Sequence, residues 1–238
     1  PPLGAVTPVF KSILAVAKRL PGTGQFIRSS RSYPLRHLVA RYFEQRESFT
    51  FTQFLRLPTQ FAALTGPVLD FLGGPQRAQP LRIVVLACST GAEPYSISSV
   101  LLRAFPDLQV AIEAYDLDDG VLSVAAQASY SRESVLAQEH LPSWFVADTF
   151  DEAGGTFAIQ RRVAQRVCFQ RADLLDPDLS RLIQPAPIVF MQNVLCNMQR
   201  PVARRVLRNI LPLLGPRSAL FADGIDLDMR DGFVVRHH

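Results

Sequence analysis

At 238 residues, with 48% hydrophobic and 19% charged residues, the chain has length for one to two domains and a full core, and its composition excludes a disordered protein. The 13 glycines and 18 prolines are too few for a low-complexity chain, and no run of about 18 apolar residues reads as a membrane span. The net charge of +4 is uneven: residues 1–50 carry eight Lys/Arg against two Glu, a balance of +6, while the remainder carries 17 basic against 19 acidic residues, a balance of −2.

The basic opening segment suits an acidic partner, although a solvated helical arm is the plainer reading. Nucleic acid is disfavoured, because aromatics do not interleave with the basic residues. Within residues 1–75 three amphipathic stretches predict a short helical N-terminal portion: VFKSILAVAKRL, ended by Pro21-Gly22; LRHLVARYFEQR, Leu35 to Arg46; and Phe54 to Leu72, ended by Gly73-Gly74-Pro75. No signal-peptide pattern opens the chain, so the expected compartment is the cytoplasm.

From residue 76 the pattern changes to that of one α/β domain running to 238. LRIVVLAC reads as a strand buried on both faces. GAEPYSISSVLLRAF (helix), VAIEAYDLD (strand), GVLSVAAQASY (helix), RVCFQRADLL (strand), PIVFMQNVLC (strand), RPVARRVLRNILPLL (helix) and SALFADGI (strand) follow. This alternation predicts a parallel sheet with right-handed crossovers. The closing FVVRHH is expected as an antiparallel edge strand. The stretch 144–166 interrupts the alternation; TFAIQRRVAQRVCF alternates and predicts short strands in a small antiparallel insertion.

Three cysteines, Cys88, Cys168 and Cys196, lack CxxC spacing and read as buried thiols in a reducing compartment; no HxxxH or HExxH spacing supports a metal site. In an open parallel sheet, ligands bind beyond the carboxyl ends of the strands. Those ends are ACSTGAEPYS, AYDLDD, RADLLD and MQNVLC, each polar or acidic directly after an apolar run. Gly91 stands where a backbone must approach a ligand. Asp116, 25 residues further on, is placed to accept from a ribose diol, although an Asp there also serves as a helix cap. With the first loop and Asp173, the nucleoside-site reading is favoured. The loop has no GxGxxG, and Glu93 would repel a pyrophosphate. A nucleoside with a cationic end fits better, and S-adenosylmethionine (SAM) has both.

ACSTGAEPYSI closely resembles the first motif of the chemotaxis receptor (CheR-type) methyltransferases, A-x-x-S-T-G-x-E-P-Y-S. The similarity continues in order through AYDLDDGVLSVAAQASY, FQRADLL, FMQNVLCNM and LFADGID, and upstream to TQFLRLPTQF, which is similar to the family's T-x-F-F-R segment. It covers roughly residues 48–238. The resemblance implies a Rossmann-like α/β methyltransferase sheet with SAM as cofactor and S-adenosylhomocysteine (SAH) as product. It implies that Thr52, Arg56, Ser89, Gly91, Glu93, Asp116, Asp173, Leu174 and Asn193 bind the cofactor. Gly154 to Arg166 would be the small β-subdomain that docks acceptor proteins in some members.

The departures fall on the acceptor side. The family's R-N-V-x-I-Y-F reads Gln192-Asn193-Val194-Leu195-Cys196-Asn197-Met198, so Asn197 stands where a tyrosine near the reacting methyl is expected. Leu55 and Leu57 replace the second Phe and the acid around Arg56, Asp173 replaces the commoner Asn, and Asp223-Gly224-Ile225-Asp226 replaces G-H-S-E. Arg56 and Asn197 are the candidate catalytic residues. A carboxylate, with a pKa of about 4.3, is ionised at neutral pH and needs no general base. No His or Lys lies in the strand-end loops, which favours a carboxylate acceptor; carboxyl O-methylation of a glutamate side chain on a protein is what the resemblance implies. Arg56 could grip that carboxylate in a bidentate pair; a surface helix arginine is the alternative. An enzyme of the same fold acting on a different acceptor, a small molecule included, or a non-catalytic SAM-binding module, remain as further readings.

Overall fold

The computed structural model describes residues 52–76, 79–138 and 141–222. The expected helices within 1–51, the closing strand and Asp223-Gly224-Ile225-Asp226 lie outside the described residues. The chain opens in an irregular segment, 52–57, and then a helical stretch: α1 (Pro58–Ala63), a π turn (Leu64–Val68) and α2 (Leu69–Phe71). The expected single helix from Phe54 to Leu72 is shorter and broken at Gly66, whose φ/ψ of −116°/−109° precedes Pro67. Proline supplies no N–H to continue the ladder and restricts its predecessor.

Five strands form one parallel sheet: β1 (Leu81–Leu86), β2 (Val110–Asp116), β6 (Val167–Arg171), β7 (Ala186–Met191) and β8 (Leu214–Ala222), in the order β6-β2-β1-β7-β8. Alternate residues of β1 serve the two faces. Ile83 and Val85 join one core with Ile112, Ile188 and Phe190; Val84 and Leu86 join the other with Val189 and Met191. The first core is covered by α3 (Ala92–Ala104), whose Tyr95, Ile97 and Leu101 are buried. Phe54, Phe61, Leu64 and Leu69 belong to the same core. The second core is covered by α9 (Arg200–Ile210), which buries Ala203, Val206, Leu207 and Ile210 and turns its arginines outward, an apolar stripe at helical spacing. The helix passes into a 3-10 turn at Leu211–Leu213, where Pro212 cannot donate.

Between β2 and β6 lie α4 (Asp119–Gln127), β3 (Ser129–Ser131), α5 (Arg132–Leu136), α6 (Ser143–Thr149), β4 (Phe150–Ala153), β5 (Thr156–Ile159) and α7 (Arg161–Ala164). β3, β5 and β4 pair antiparallel in that order. Two sequence expectations are corrected here. Ala128 adopts a left-handed conformation (φ 51°), so Ser129 and Tyr130 leave the helix expected to run to Tyr130 and form β3. RRVA, expected in a strand, is the helical turn α7. Phe54, Tyr130, Phe145, Phe150 and Phe157 pack edge-on or tilted, with centroids 5.1–6.5 Å apart, and bind the small sheet to segment 52–57. Such pairs contribute about 0.5–1.5 kcal/mol each beyond buried area. After β6 come α8 (Leu179–Leu182) and β7.

Candidate active site

The sheet reverses direction of growth between β1 and β7, and the crevice outside their carboxyl ends is the place where an open α/β sheet receives a ligand. The β1–α3 loop enters it with three left-handed residues, Ala87 (φ 56°), Ser89 (φ 51°) and Gly91 (φ 89°). Gly91 is required. A Cβ there would lie 3.1 Å from Ala125 Cβ and Tyr95 Cε2 and 3.2 Å from Phe169 Cζ. Glu93 stands half-buried in the first turn of α3, where the helix dipole also favours an acid.

Asp116 closes β2. Its Oδ2 accepts from the Ser89 N–H at 2.8 Å and its Oδ1 from the Asp118 N–H at 3.1 Å. A carboxylate offers about four acceptor positions, so both oxygens retain capacity for a ligand hydroxyl. The helix-cap alternative for Asp116 goes to Asp118, whose Oδ1 accepts from the N–H groups of Gly120 and Val121 at the start of α4. The Ser89 hydroxyl is buried with no hydrogen-bond partner among the described residues, so the loop holds a polar atom suited to a ligand. Burial, with the negative charges of Asp116 and Glu93, pushes the Cys88 thiol well above its ordinary range. It stays protonated and is no nucleophile.

After β6, Asp173 is exposed and its Oδ1 accepts the Leu175 N–H at 2.8 Å, an Asx turn. Leu174 is half-buried, and its carbonyl accepts from Asn209 Nδ2 of α9 at 2.9 Å. The strand expected to reach Cys196 stops at Met191. Asn193 turns the chain with φ 57°, a conformation asparagine tolerates, and a 3-10 turn follows at Leu195–Asn197. Asn197 Nδ2 donates to the Asn193 carbonyl at 2.5 Å. Across from this turn, Arg56 Nη2 donates to Asn193 Oδ1 at 3.0 Å, and Thr52 lies half-buried at the start of the same segment.

The fold thus joins Asp116 to Ser89, Arg56 to Asn193 and Asn193 to Asn197 by direct bonds, while Thr52 lies in segment 52–57, Glu93 in the first turn of α3, and Asp173 and Leu174 in the loop after β6. Sequence reading missed the residues that hold this frame. Ser96 Oγ accepts the Leu55 N–H at 3.0 Å, Gln138 Oε1 accepts the Phe54 N–H at 2.9 Å, and Tyr130 OH donates to the Thr90 carbonyl at 2.6 Å. Gln192 Nε2 donates to the side-chain oxygen Oε1 of Gln60. All bridge segments distant in sequence. Among the described residues no group of three or more His, Cys, Asp or Glu is disposed to hold a metal ion, and no helix is long and apolar enough to cross a membrane.

The comparisons with known proteins agree with this architecture. Residues 50–225 match the family model described as CheR methyltransferase, SAM binding domain. The chain is similar to the probable biofilm formation methyltransferase WspC of Pseudomonas aeruginosa, 32% identical over 171 residues, 71% of this chain and 40% of that protein. It is similar to chemotaxis protein methyltransferase 2 of the same organism, 35% identical over 168 residues, 68% of this chain and 58% of that protein. It is also similar to chemotaxis protein methyltransferase 2 of Vibrio cholerae, 31% identical over 174 residues, 71% of this chain and 59% of that protein. The chain spans about half the length of these curated relatives. A Rossmann-like sheet with a strand-end crevice, matched by the family model over most of the chain, makes this chain a member of the CheR methyltransferase family that carries its SAM-binding domain.

Proposed function

We propose that the chain is a SAM-dependent methyltransferase that esterifies a carboxylate, the side chain of a glutamate on a protein acceptor. The observation that carries the reading is Arg56, bonded to Asn193 at the switch-point crevice, with no His or Lys in any strand-end loop. The names of the relatives, methyltransferases of chemotaxis and of biofilm formation, support a protein acceptor of the chemoreceptor kind. The basic segment 1–50 suits an acidic acceptor surface.

The residues fit the cofactor. Asp116 would accept from the ribose hydroxyls, Glu93 would pair with the ammonium, and Thr52, Arg56, Ser89, Gly91, Asp173, Leu174 and Asn193 would complete its walls. When bound, SAM supplies a methyl group activated by a positive sulfonium. Arg56 would orient the acceptor carboxylate through a planar fork of donors, and the packed loops would exclude water. Ester formation from an ionised carboxylate moves no proton, so the absence of a base from the loops is consistent with the chemistry.

A second reading follows from Asn197. Its amide binds the Asn193 carbonyl in the place where the family's tyrosine is expected, which favours an altered acceptor such as a small carboxylate, or binding of SAM without turnover. The test is labelling with methyl-tritiated SAM and candidate protein and small-molecule acceptors, followed by mild alkali and collection of volatile counts. Glutamate methyl esters release methanol. Alkali-stable label on a confirmed product overturns carboxyl methylation, and SAM binding with no label from any acceptor supports the binding module.

A further inference from the structure

β3 is three residues long, yet its middle side chain reaches out of the small sheet to the β1–α3 loop. Tyr130 OH donates to the Thr90 carbonyl at 2.6 Å. On the other side of the same peptide unit, the Gly91 N–H donates to the Cys88 carbonyl at 3.1 Å. The Thr90–Gly91 peptide plane is therefore fixed at both of its polar ends. It lies in a stretch where Ser89 and Gly91 are both left-handed, and non-glycine backbone in that region is held only by its surroundings. Burial pushes the Tyr130 hydroxyl far above its ordinary range, so it stays protonated and keeps its hydrogen to donate to the Thr90 carbonyl.

The ring of Tyr130 has a second task. It stands edge-on to Phe54, with centroids 5.1 Å apart and planes at 84°. Phe54 is two residues from Arg56, in the segment whose Leu55 is left-handed (φ 46°) and bonded to Ser96. One side chain thus touches both the loop that would receive the methyl donor and the segment that carries Arg56.

We infer that Tyr130 is a positioning residue of the methyl-donor site: its hydroxyl sets the Ser89–Gly91 backbone through Thr90, and its ring sets segment 52–56 through Phe54. The inference rests on the SAM-dependent reading above. Tyr130 need not touch the cofactor. It acts through the backbone that does.

The experiment uses the full chain with the substitution Tyr130→Phe, which keeps the ring and removes only the hydroxyl. SAH affinity is read by calorimetry, the SAM KM and kcat by labelling, and Tm by melting. Ser98→Ala is the control: Ser98 Oγ donates to the Val163 carbonyl at 2.8 Å, buried and away from the loop. Losing one neutral hydrogen bond is expected to raise the SAH Kd and SAM KM about 3- to 10-fold in Tyr130→Phe, while Ser98→Ala lowers Tm and leaves both within twofold. A Tyr130→Phe variant that loses Tm like the control but keeps SAH Kd and SAM KM within twofold overturns the inference. Wild-type protein that binds no SAH overturns the donor reading as well, so the two failures are distinguishable. Phe54→Leu keeps the hydroxyl bond and loosens the ring contact. It should lower kcat more than SAH affinity, and unchanged kcat would overturn the second task of the ring.

Discussion

Arg56 and Asn193 are 137 residues apart in the chain, yet their side chains meet through a 3.0 Å bond from Nη2 to Oδ1. Each follows or occupies a left-handed backbone position: Leu55 at φ 46° precedes Arg56, and Asn193 itself is at φ 57°. Such positions cost about 1–3 kcal/mol each for ordinary residues, less for asparagine, and persist where surrounding bonds over-determine them. Here Ser96 holds the Leu55 N–H and Asn197 holds the Asn193 carbonyl. A guanidinium carries five N–H donors in one plane. Fixing one nitrogen therefore narrows the orientations in which a carboxylate would be gripped.

Arg56→Ala should lower turnover by tenfold or more, the equivalent of a charged hydrogen bond of about 1.5–3 kcal/mol, with SAH affinity changed less than threefold. Asn193→Ala should act partly through the arginine, so the double variant should lose less than the sum of the single losses. Steady-state kinetics and calorimetry on the three variants check both points. Equal losses of turnover and SAH affinity in Arg56→Ala would confine the arginine to the wall of the cofactor site and remove its acceptor role.

Asp116→Ala should weaken SAM and SAH alike. The substitution removes an acceptor for the ribose and also releases the N–H groups of Ser89 and Asp118. A loss of tenfold or more in both affinities is expected, at about 1.5–3 kcal/mol for a charged hydrogen bond. Calorimetric titration with unchanged affinity would remove Asp116 from the ribose role.

The strands were legible because continuous apolar runs ending in polar residues leave few alternatives in an α/β chain. LRIVVLAC gave β1 and ACSTGAEPYS its loop, and Asp116 followed at the end of β2. What stayed hidden was the frame around the loop. Tyr130 lies at the tail of an amphipathic pattern that continues smoothly past the point where Ala128 turns left-handed, and no residue type announces such a turn at alanine. Ser96 and Gln138 act on backbone N–H groups 41 and 84 residues away, and a hydroxyl or amide carries no signal of a partner at that distance. α6 leaves no sequence signal because SWFVADT is too short to show a period. RRVA reads as strand because the β-type alternation of its neighbours extends through it.

Gly91→Ala tests the closeness of the loop. The new methyl would meet Ala125, Tyr95 and Phe169 at 3.1–3.2 Å, in a residue held at φ 89°. Crowding of this kind costs about 1–3 kcal/mol, and the left-handed backbone adds to it. Tm should fall by several degrees and SAH affinity should fall with it, because relief of the clash must move the helix start or the loop. Unchanged SAH binding at full occupancy would show that the loop tolerates displacement and that its backbone is not part of the site.

On the second sheet face, Arg82 of β1 grips Glu113 of β2 in a bidentate pair, Nε to Oε1 at 2.6 Å and Nη2 to Oε2 at 2.5 Å, and Tyr115 OH donates to Oε2 at 2.8 Å. Arg82 Nη1 also donates to the carbonyls of Gln184 and Pro185 ahead of β7, so the arginine ties three strands. The Arg82 hydrogen bond, more than the opposing effect of burial, holds the Glu113 carboxyl below its ordinary value of 4.5. A carboxyl depressed in the folded state contributes stability that is fully present above its unfolded pKa and is lost as pH falls through the folded one. Wild-type Tm should therefore decline as pH drops below about 4.5. Glu113→Gln should lower Tm at pH 7 and flatten that acid decline, since it has no proton to take up. SAH affinity at pH 7 should remain within twofold, because Glu113 is not among the strand-end residues. Parallel acid limbs in the two Tm profiles would show that this pair does not set the acid response.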